Sequence, residues 1–482
     1  MRARPAAWLL LALCAASPAA GQERFRRTPP AAEPLPTLAL PAIDSVSLSN
    51  GLRLTIVPRE NPLMSLLLVL DAGEIRSPRG LPGMATCTAH MFLRGTKTRS
   101  AADIEELVES LGGSMSLDIT QDHVFVSFQF LEDSLDPILA LLAQLLLQPS
   151  FNERELAQVK FNLSSELMDR GKDPEFSARR QLIRLMFQDH PYASFAFGRD
   201  AVRSWTLRDA AQFFDRFYRP NSAQLVLVGD IRLDAATRRI SRHLNVWPKR
   251  EIPALPSLAP PALDRDRVCF IDVPGARDCS VVAGALYPPP EIPDRFALTV
   301  LNQILGGTLN SRLFMSLRES RSYAKYAFSE VNHFRVGVFF LARALVAPRY
   351  LYPATELLLE ELRRPAREPV SLDEILQAKT VVIGSFPLRL ARPEDFASRV
   401  ALIKAAGWGN EAWNDYYEQT WTVGPERITD LARRRMTSPF LIVIAGDRTL
   451  CDERLVEFDL VEYYDARGQL LYTKSRDRKE PE

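Results

Sequence analysis

Apolar and polar residues follow two different periods along this chain. The run "HVFVSFQF" alternates as a half-buried strand does, whereas "AADIEELVESLGG" places Ile104, Leu107 and Leu111 on one helical face and ends at Gly112. Strands and helices mixed in this way predict an α+β fold, in which helices pack on a largely antiparallel sheet.

The order of these elements repeats once. Each copy is predicted to open with a strand hairpin, pass through helices and close on a short apolar strand. Four features recur at offsets of 216, 216, 219 and 217 residues: Val57-Pro58 with Val273-Pro274, Pro137 with Pro353, Lys160 with Lys379, and Asp230 with Asp447. This nearly constant spacing indicates two duplicated domains of about 200 residues each.

Proline-rich and polar stretches set the predicted boundaries. The second domain is followed by a segment around Asp465–Gly468 that is compatible with a hairpin, and the final residues have the composition of a disordered end. The predicted division is a signal peptide at 1–21, an extended lead-in at 22–43, domains at 44–247 and 263–465, a proline-rich linker at 248–262 and a tail at 466–482.

The amino terminus has the pattern of an export signal. Arg2 and Arg4 precede a short apolar run, and small residues around Gly21 indicate cleavage there. No other run approaches ~18 apolar residues, so no membrane span is expected after cleavage. We expect a periplasmic or secreted protein. Lipidation at Cys14 is the less favoured alternative, because the bulky Leu13 precedes that cysteine.

Charge and cysteine content exclude some functions. The 482-residue chain has 60 Lys and Arg against 59 Asp and Glu, so no net field attracts nucleic acid. The cysteines after the signal form no C-x-x-C pair, which argues against a cysteine zinc site. Cys269 and Cys279 flank a predicted hairpin; they either bridge in an oxidising compartment or are two buried thiols, the interpretation that we favour.

Several segments, taken in order, resemble one family. They are "NGLRLTIVPRENPLMSLLLVLDAGE", "AHMFLRGTKTRS", "HPYASFAFG", "FYRPNSAQLVLVGD" and "GGTLNSRLFMSLRESRSYA". Together they resemble the insulinase/pitrilysin metallopeptidases, which include mitochondrial processing peptidase, over nearly all of the mature chain. The resemblance implies an insulinase-like half-clamshell of two domains.

The metal-binding motif of that family is incomplete here. The family binds zinc through H-x-x-E-H on a helix, where two histidines one turn apart reach one ion and the glutamate takes a proton from zinc-bound water. Aligned through "HMFLRGT", His90 matches the second histidine, Thr86 replaces the first and Ala89 replaces the general base. Glu166 matches the distal ligand, and Val159 replaces a supporting acid seven residues earlier.

These replacements imply a chain that is inactive alone. A catalytic zinc needs three protein ligands, and the missing base is worth ~10²–10⁴ in rate. We therefore expect no tightly bound zinc, with His90 and Glu166 as vestigial ligands joined by a hydrogen bond, and Thr86 and Ala89 facing the same pocket. His123 is the one other histidine that we retain as a possible replacement ligand.

The second domain contributes a substrate-binding pair in this family. An arginine and a tyrosine seven residues apart line the substrate channel, and on "SLRESRSYAKYAF" they match Arg318 and Lys325, with Tyr323 and Tyr326 beside the lysine. The resemblance implies that Arg318 and Lys325 contact peptide. The alternative, a surface helix residue at Arg318, remains open.

Three functions follow from these observations. The first is the non-catalytic subunit of an exported heterodimeric zinc metallopeptidase, paired with an active insulinase-like sister and acting on peptides. The second is a structural or peptide-binding protein without a protease partner. The third is a metalloendopeptidase whose ligands have been relocated.

Overall fold

Two mixed β-sheets follow each other along the chain. The computed structural model describes residues 42–255, 262–289, 292–405, 416–465 and 467–476. The strands are β1 (Asp44–Ser47), β2 (Arg53–Pro58), β3 (Leu63–Leu70), β4 (Ser114–Ile119), β5 (Val124–Leu131), β6 (Ala223–Gly229), β7 (Arg267–Asp272), β8 (Cys279–Tyr287), β9 (Ala324–Phe334), β10 (Gly337–Val346), β11 (Leu441–Gly446), β12 (Leu460–Tyr464) and β13 (Leu470–Ser475). The first sheet has the order β1-β2-β6-β3-β5-β4, and the second has the order β13-β12-β7-β11-β8-β10-β9.

Helices connect these strands and cover the sheets. They are α1 (Met84–Phe92), α2 (Ala101–Ser110), α3 (Leu135–Leu147), α4 (Glu153–Arg170), α5 (Pro174–Phe187), α6 (Arg199–Ser204), α7 (Leu207–Phe217), α8 (Leu233–Leu244), α9 (Ile292–Gly306), α10 (Arg312–Phe314), α11 (Leu351–Arg367), α12 (Leu372–Leu388), α13 (Pro393–Ala405), α14 (Tyr416–Trp421), α15 (Pro425–Arg435) and α16 (Arg448–Leu455). A π-helical segment, Met315–Ser320, continues α10. Within the described ranges, no helix combines the length and apolarity needed to cross a membrane.

The predicted α+β duplication is confirmed by the strand order. The run β2-β6-β3-β5-β4 of the first sheet has its counterpart in β7-β11-β8-β10-β9 of the second. In the first sheet the closing strand β6 pairs parallel with β2, and the pairs β6-β3, β3-β5 and β5-β4 are antiparallel. In the second sheet the closing strand β11 pairs parallel with β7, and the pairs β11-β8, β8-β10 and β10-β9 are antiparallel. Pro137 and Pro353 both occupy the third position of a helix, in α3 and α11.

The predicted opening hairpins are wrong in both domains. β2 and β3 are not paired with each other, because β6 inserts between them, and β11 inserts between β7 and β8 in the same way. The Val-Pro pairs also differ in register. Pro58 lies opposite Gly229, whereas the residue opposite Gly446 is Asp272, two positions before Pro274. The two strands of each predicted hairpin are apolar, so the sequence period alone could not show that a strand distant in sequence lies between them.

The second sheet extends past the predicted domain end at residue 465. β13 lies inside the predicted tail, 466–482, and forms a hairpin with β12. The hairpin expected around Asp465–Gly468 is thereby confirmed, but its second strand was assigned to the tail; the β13 side chains are all exposed, so the strand lacks a buried face that would tie it to the domain. The predicted signal peptide, nearly all of the lead-in, part of the linker and the last six residues lie outside the described residues.

Each half lends a helix to the other half's sheet. α5 packs on β8 and β11, and α13 packs on β3 and β6. In the first of these contacts, Leu182 lies under Gly284, where an added Cβ would come within 2.8 Å of the leucine side chain. The contact also has a polar part, because Glu175 on α5 accepts hydrogen bonds from Tyr326 and Arg343 of the second sheet. The two halves therefore share one hydrophobic cluster, to which Leu182 and Leu341 both belong.

The four buried cysteines do not include the Cys269–Cys279 bridge that the sequence allowed. Cys87, Cys269, Cys279 and Cys451 are buried free thiols. Cys269 lies 3.7 Å from a carboxylate oxygen of Glu462, whereas Cys279 faces Cys451. A Cys269–Cys279 bridge is therefore absent, as the favoured interpretation predicted.

Gly306 ends α9 where two backbones meet. A Cβ there would lie 2.2 Å from the Ser329 amide nitrogen. We expect Gly306→Ala to lower the free energy of unfolding by about 3 kcal/mol, since β9 would have to shift. The control is Gly384→Ala in α12, where a Cβ meets nothing within 4 Å and which should gain ~0.5–1 kcal/mol. Urea denaturation measures both, and equal effects would contradict the close contact.

Candidate functional site

α1 enters the core directly after a glycine. Gly83 adopts φ +80°, and a Cβ there would lie 2.6 Å from the Phe197 ring. Trp205 closes the same corner, because its indole nitrogen donates to the Pro82 carbonyl at 3.0 Å. The helix is buried from Met84 through Ala89, and its last turn presents the partly exposed His90.

Thr86 is held by a buried carboxylate. Its hydroxyl donates to Glu74 Oε1 at 2.5 Å, and its backbone N–H donates to the same oxygen at 2.9 Å. The other carboxylate oxygen accepts from the Ser77 hydroxyl at 2.7 Å. Glu74 is fully buried. The Thr86 hydroxyl is therefore oriented toward Glu74 as a donor, and the buried Ala89 offers no polar atom to the pocket that we expected both residues to share with His90.

His90 and Glu166 lie on the neighbouring helices α1 and α4. Burial lowers the pKa of His90, and the Glu166 charge partly opposes that effect. Glu166 is half exposed and accepts a hydrogen bond from Arg170 at 3.0 Å, one turn along its own helix. No hydrogen bond joins His90 to Glu166 in this described part of the chain. The expected remnant bond is therefore wrong, and Arg170 contacts one oxygen of the Glu166 carboxylate instead.

His123 lies in a different environment. Its Nε2 is 3.1 Å from Arg335 Nη2, and its ring packs edge-on against Phe125. Burial and the Arg335 charge lower its pKa to about 4. It lines a cavity of about 1050 Å³ between the two sheets, together with Asp71 and Asp122. It therefore contributes to the contact between the halves.

Arg318 contacts the backbone of Lys325. Arg318 lies in the π-helical segment and donates from Nη1 to the backbone carbonyl of Lys325, and its Nε is 3.3 Å from Glu319. The Lys325 ammonium donates to Asp278 at 2.6 Å. The two side chains are 48% and 63% exposed, so both cationic groups reach solvent.

The tyrosines beside Lys325 are engaged elsewhere. Tyr323 packs against Tyr350 in a tilted arrangement with ring centroids 4.8 Å apart, and the Tyr326 hydroxyl donates to Glu175. Neither takes the place of the family tyrosine, so Lys325 is the exposed polar group at that position.

Comparison with known proteins decides the family. The model for insulinase, peptidase family M16, matches residues 56–198, and the model for the peptidase M16 inactive domain matches residues 204–382. The chain belongs to the M16 insulinase family. The resemblance drawn from the sequence is thereby confirmed, and so is the two-domain α+β fold.

Individual M16 relatives differ in their described activity. A non-peptidase homolog, YmxG of Helicobacter pylori, is 25% identical over 350 residues, which cover 70% of this chain and 79% of the relative. A zinc protease, PqqE of the same organism, is also 25% identical over 350 residues, covering 70% and 78%. The solved M16 inactive domain from Pseudomonas fluorescens superposes with a TM-score of 0.78 at 21% identity, covering 84% of this chain and 98% of that one.

The side chains at the M16 metal position do not fit zinc. Relatives named zinc proteases show that the metal belongs to the family. In this chain, one imidazole and one carboxylate already paired with Arg170 remain. Over the described ranges, no cluster of three or more His, Cys, Asp or Glu side chains could hold a metal ion. Zinc needs three protein donors in a catalytic site.

Glu74 was missed by sequence reasoning, although it follows the long apolar strand β3 in the segment "DAGE". Its burial raises the pKa of the carboxyl above the ordinary value of 4.5, while the hydrogen bonds from Thr86 and Ser77 partly oppose the shift. Folding therefore shifts this acid toward its protonated form relative to the unfolded chain.

We expect this acid to give a measurable pH dependence. Its contribution to stability is complete below pH 4.5 and is lost as pH rises through the raised pKa. Glu74→Gln cannot ionise and so does not lose stability through this group. The free energy of unfolding of the variant minus that of the natural chain should therefore be larger at pH 8 than at pH 5. Denaturation at both pH values tests this, with the exposed Glu105→Gln as control. If the difference in free energy of unfolding between Glu74→Gln and the natural chain does not change with pH, the pKa of Glu74 is not raised.

Proposed function

We propose that this M16 chain is the exported, non-catalytic subunit of a heterodimeric zinc metallopeptidase that acts on peptides. The observation that carries the proposal is the hydrogen bonding of Thr86 to buried Glu74, beside Ala89 in the core. The positions of the first zinc ligand and the general base are thus occupied by residues that stabilise the helix. Chemistry must then come from another chain.

The relatives support a pairing of silent and active chains. In Helicobacter pylori, one relative of this chain is named a non-peptidase homolog and another a zinc protease, at the same identity to it. An organism that keeps both kinds supplies the two halves that such an enzyme needs. The sister of this chain would hold the intact H-x-x-E-H motif and the zinc.

Arg318 and Lys325 are the groups with which this chain would contact substrate. A guanidinium can donate to peptide carbonyl oxygens from a fixed plane, whereas an ammonium is a flexible point charge. Arg318 is anchored through Nη1 to the Lys325 carbonyl. None of its hydrogen bonds within the described residues uses Nη2, which leaves that nitrogen for a substrate.

Exposed apolar side chains on the segments that carry Arg312 and Glu374 supply a surface for the sister. We define the apolar patch as Leu309, Met315, Leu372 and Leu376, all of which are exposed. The segments that carry them are tied together by Arg312, which donates to both carboxylate oxygens of Glu374 at 2.7 and 3.1 Å. The Arg312 hydrogen bonds lower the pKa of Glu374 to about 2. In a typical protein interface, apolar side chains form the centre and polar or charged groups lie at the rim.

Reconstitution tests the proposal. The chain is mixed with an M16 protein of the same organism that has an intact H-x-x-E-H motif, and assembly is followed by sedimentation. We expect a one-to-one complex that hydrolyses an unstructured peptide in a chelator-sensitive way, with neither chain active alone. If the sister is equally active alone, the non-catalytic subunit mechanism is wrong.

A charge in the apolar patch tests the docking surface separately. Leu372→Glu should weaken assembly by at least about tenfold, because a charge would be buried without a partner. Leu388→Glu, at the other end of α12 and also exposed, is the matched control. If the chain forms no complex but binds peptide by itself, the second candidate, a peptide-binding protein without a protease partner, takes its place.

A further inference from the structure

Two cysteines from distant parts of the chain meet in the second domain. Cys279 begins β8 and Cys451 lies in α16, 172 residues later. Their sulfur atoms are 2.7 Å apart, and both side chains are fully buried. Among the described cysteines this is the one thiol pair in contact, since Cys269 faces Glu462.

A glycine makes the room for both sulfurs. A Cβ on Gly446, the last residue of β11, would lie 2.7 Å from Cys279 Sγ and 3.1 Å from Cys451 Sγ. The first domain has the equivalent glycine, Gly229, at the end of β6, and there Met64 fills the space, with its Cγ 2.8 Å from such a Cβ. A methionine side chain thus fills this space in one domain, and two thiols from separate elements fill it in the other.

We infer that Cys279 and Cys451 form a disulfide when the chain folds under oxidising conditions, with a second disulfide, such as that of oxidised glutathione or a thiol–disulfide oxidoreductase, as the oxidant. The inference is independent of any sister subunit. One cysteine thiolate attacks the oxidant to give a mixed disulfide and releases one thiol. The second cysteine then attacks the protein sulfur of that bond and releases the other. Two protein thiols are oxidised, and one oxidant disulfide is reduced.

The bond forms before the domain closes. In the folded chain the hydrogen bond with Cys451 and burial raise the pKa of the Cys279 thiol, so little thiolate remains to attack. Both sulfurs are also out of reach of a bulky oxidant, because neither side chain is exposed. Oxidation therefore belongs to folding, when both cysteines are accessible.

The bond would fasten the carboxy-terminal hairpin to the sheet. α16 leads directly into β12 and β13, which form the outer edge of the second sheet. A link from α16 to β8 closes a long loop and restricts the unfolded chain, which stabilises the folded one. We expect the oxidised chain to melt on the order of 5–10 °C above the reduced chain.

Peptide mapping tests the inference on the full chain. The protein is refolded in a buffer of reduced and oxidised glutathione, alkylated in denaturant without reduction and digested with trypsin. Cleavage separates the relevant cysteines into peptides 268–277, 278–295 and 449–454. We expect peptide 278–295 linked to 449–454, with Cys269 alkylated in 268–277. Separate alkylated peptides, or a link between 268–277 and 278–295, would overturn the inference.

Serine variants give a second readout. Cys279→Ser and Cys451→Ser should each lower the melting temperature of the oxidised chain, and the double variant should lower it no further, because both changes remove one bond. Cys269→Ser is the matched control and should retain the linked peptides. Additive losses from the two single changes would contradict a shared bond.

Discussion

Replacing Arg318 with alanine should lower peptide turnover by the reconstituted pair by about 100-fold or more, while assembly stays intact. Donors aimed at a developing oxyanion are worth ~2.7–4 kcal/mol when their geometry is fixed in advance. Here the geometry is fixed by the bond from Arg318 Nη1 to the Lys325 carbonyl and by the Phe314 ring, 5.4 Å from the guanidinium carbon. The measurement is chelator-sensitive peptide hydrolysis at a saturating concentration of the sister subunit.

Two other substitutions serve as comparisons for Arg318→Ala. Arg321→Ala removes the same charge three residues further on, from an exposed side chain, and should have little effect. Lys325→Ala should have a smaller effect than Arg318→Ala, because the ammonium is flexible and already pairs with Asp278. If Arg318→Ala and Arg321→Ala behave alike, Arg318 is a surface residue without contact to substrate.

The double change Thr86→His plus Ala89→Glu should raise zinc affinity by at least about 100-fold. It restores the third ligand and the general base on the face of α1 that carries His90. Glu166 must leave Arg170, but that ion pair is exposed on both sides and is worth only about 0–1 kcal/mol. Titration with zinc, followed by thermal shift, measures the gain.

The same variant should be less stable than the natural chain without metal. Glu74 loses the Thr86 hydroxyl, and Ala89 lies in a fully buried position that a longer acidic side chain must enlarge. The control adds His90→Ala to the double change, which removes one ligand and should abolish the gain. Equal zinc affinity with and without His90 would show that the ion binds elsewhere.

Much of the fold could be predicted from the sequence because it depends on local period and on repetition. The spacing of Pro137 and Pro353 identified equivalent helices, and the short apolar strands at Asp230 and Asp447 identified equivalent closing strands. Which strands become neighbours could not be predicted, because β6 and β11 insert between strands that are close in sequence. The exchange of α5 and α13 between the halves is likewise a property of tertiary packing.

The candidate site, like the fold, could be predicted from the sequence only in part. Alignment matched Thr86, Ala89, His90 and Glu166 to the zinc motif, and Arg318 and Lys325 to the substrate-binding pair. It could not supply their hydrogen-bond partners. The bond from Thr86 to Glu74 joins the helix to a segment twelve residues earlier whose burial only the fold decides. The Arg170–Glu166 pair was visible as an i, i+4 spacing of opposite charges, a signal that favours pairing on one helix.

The central claim, that this M16 chain is silent alone, is tested most directly by its zinc content. The purified full chain is equilibrated with equimolar zinc, dialysed against metal-free buffer and analysed by mass spectrometry for metal, and hydrolysis of an unstructured peptide is measured on the same sample. We expect far less than one zinc per chain and no hydrolysis. One zinc per chain that resists dialysis, together with chelator-sensitive hydrolysis, would contradict it.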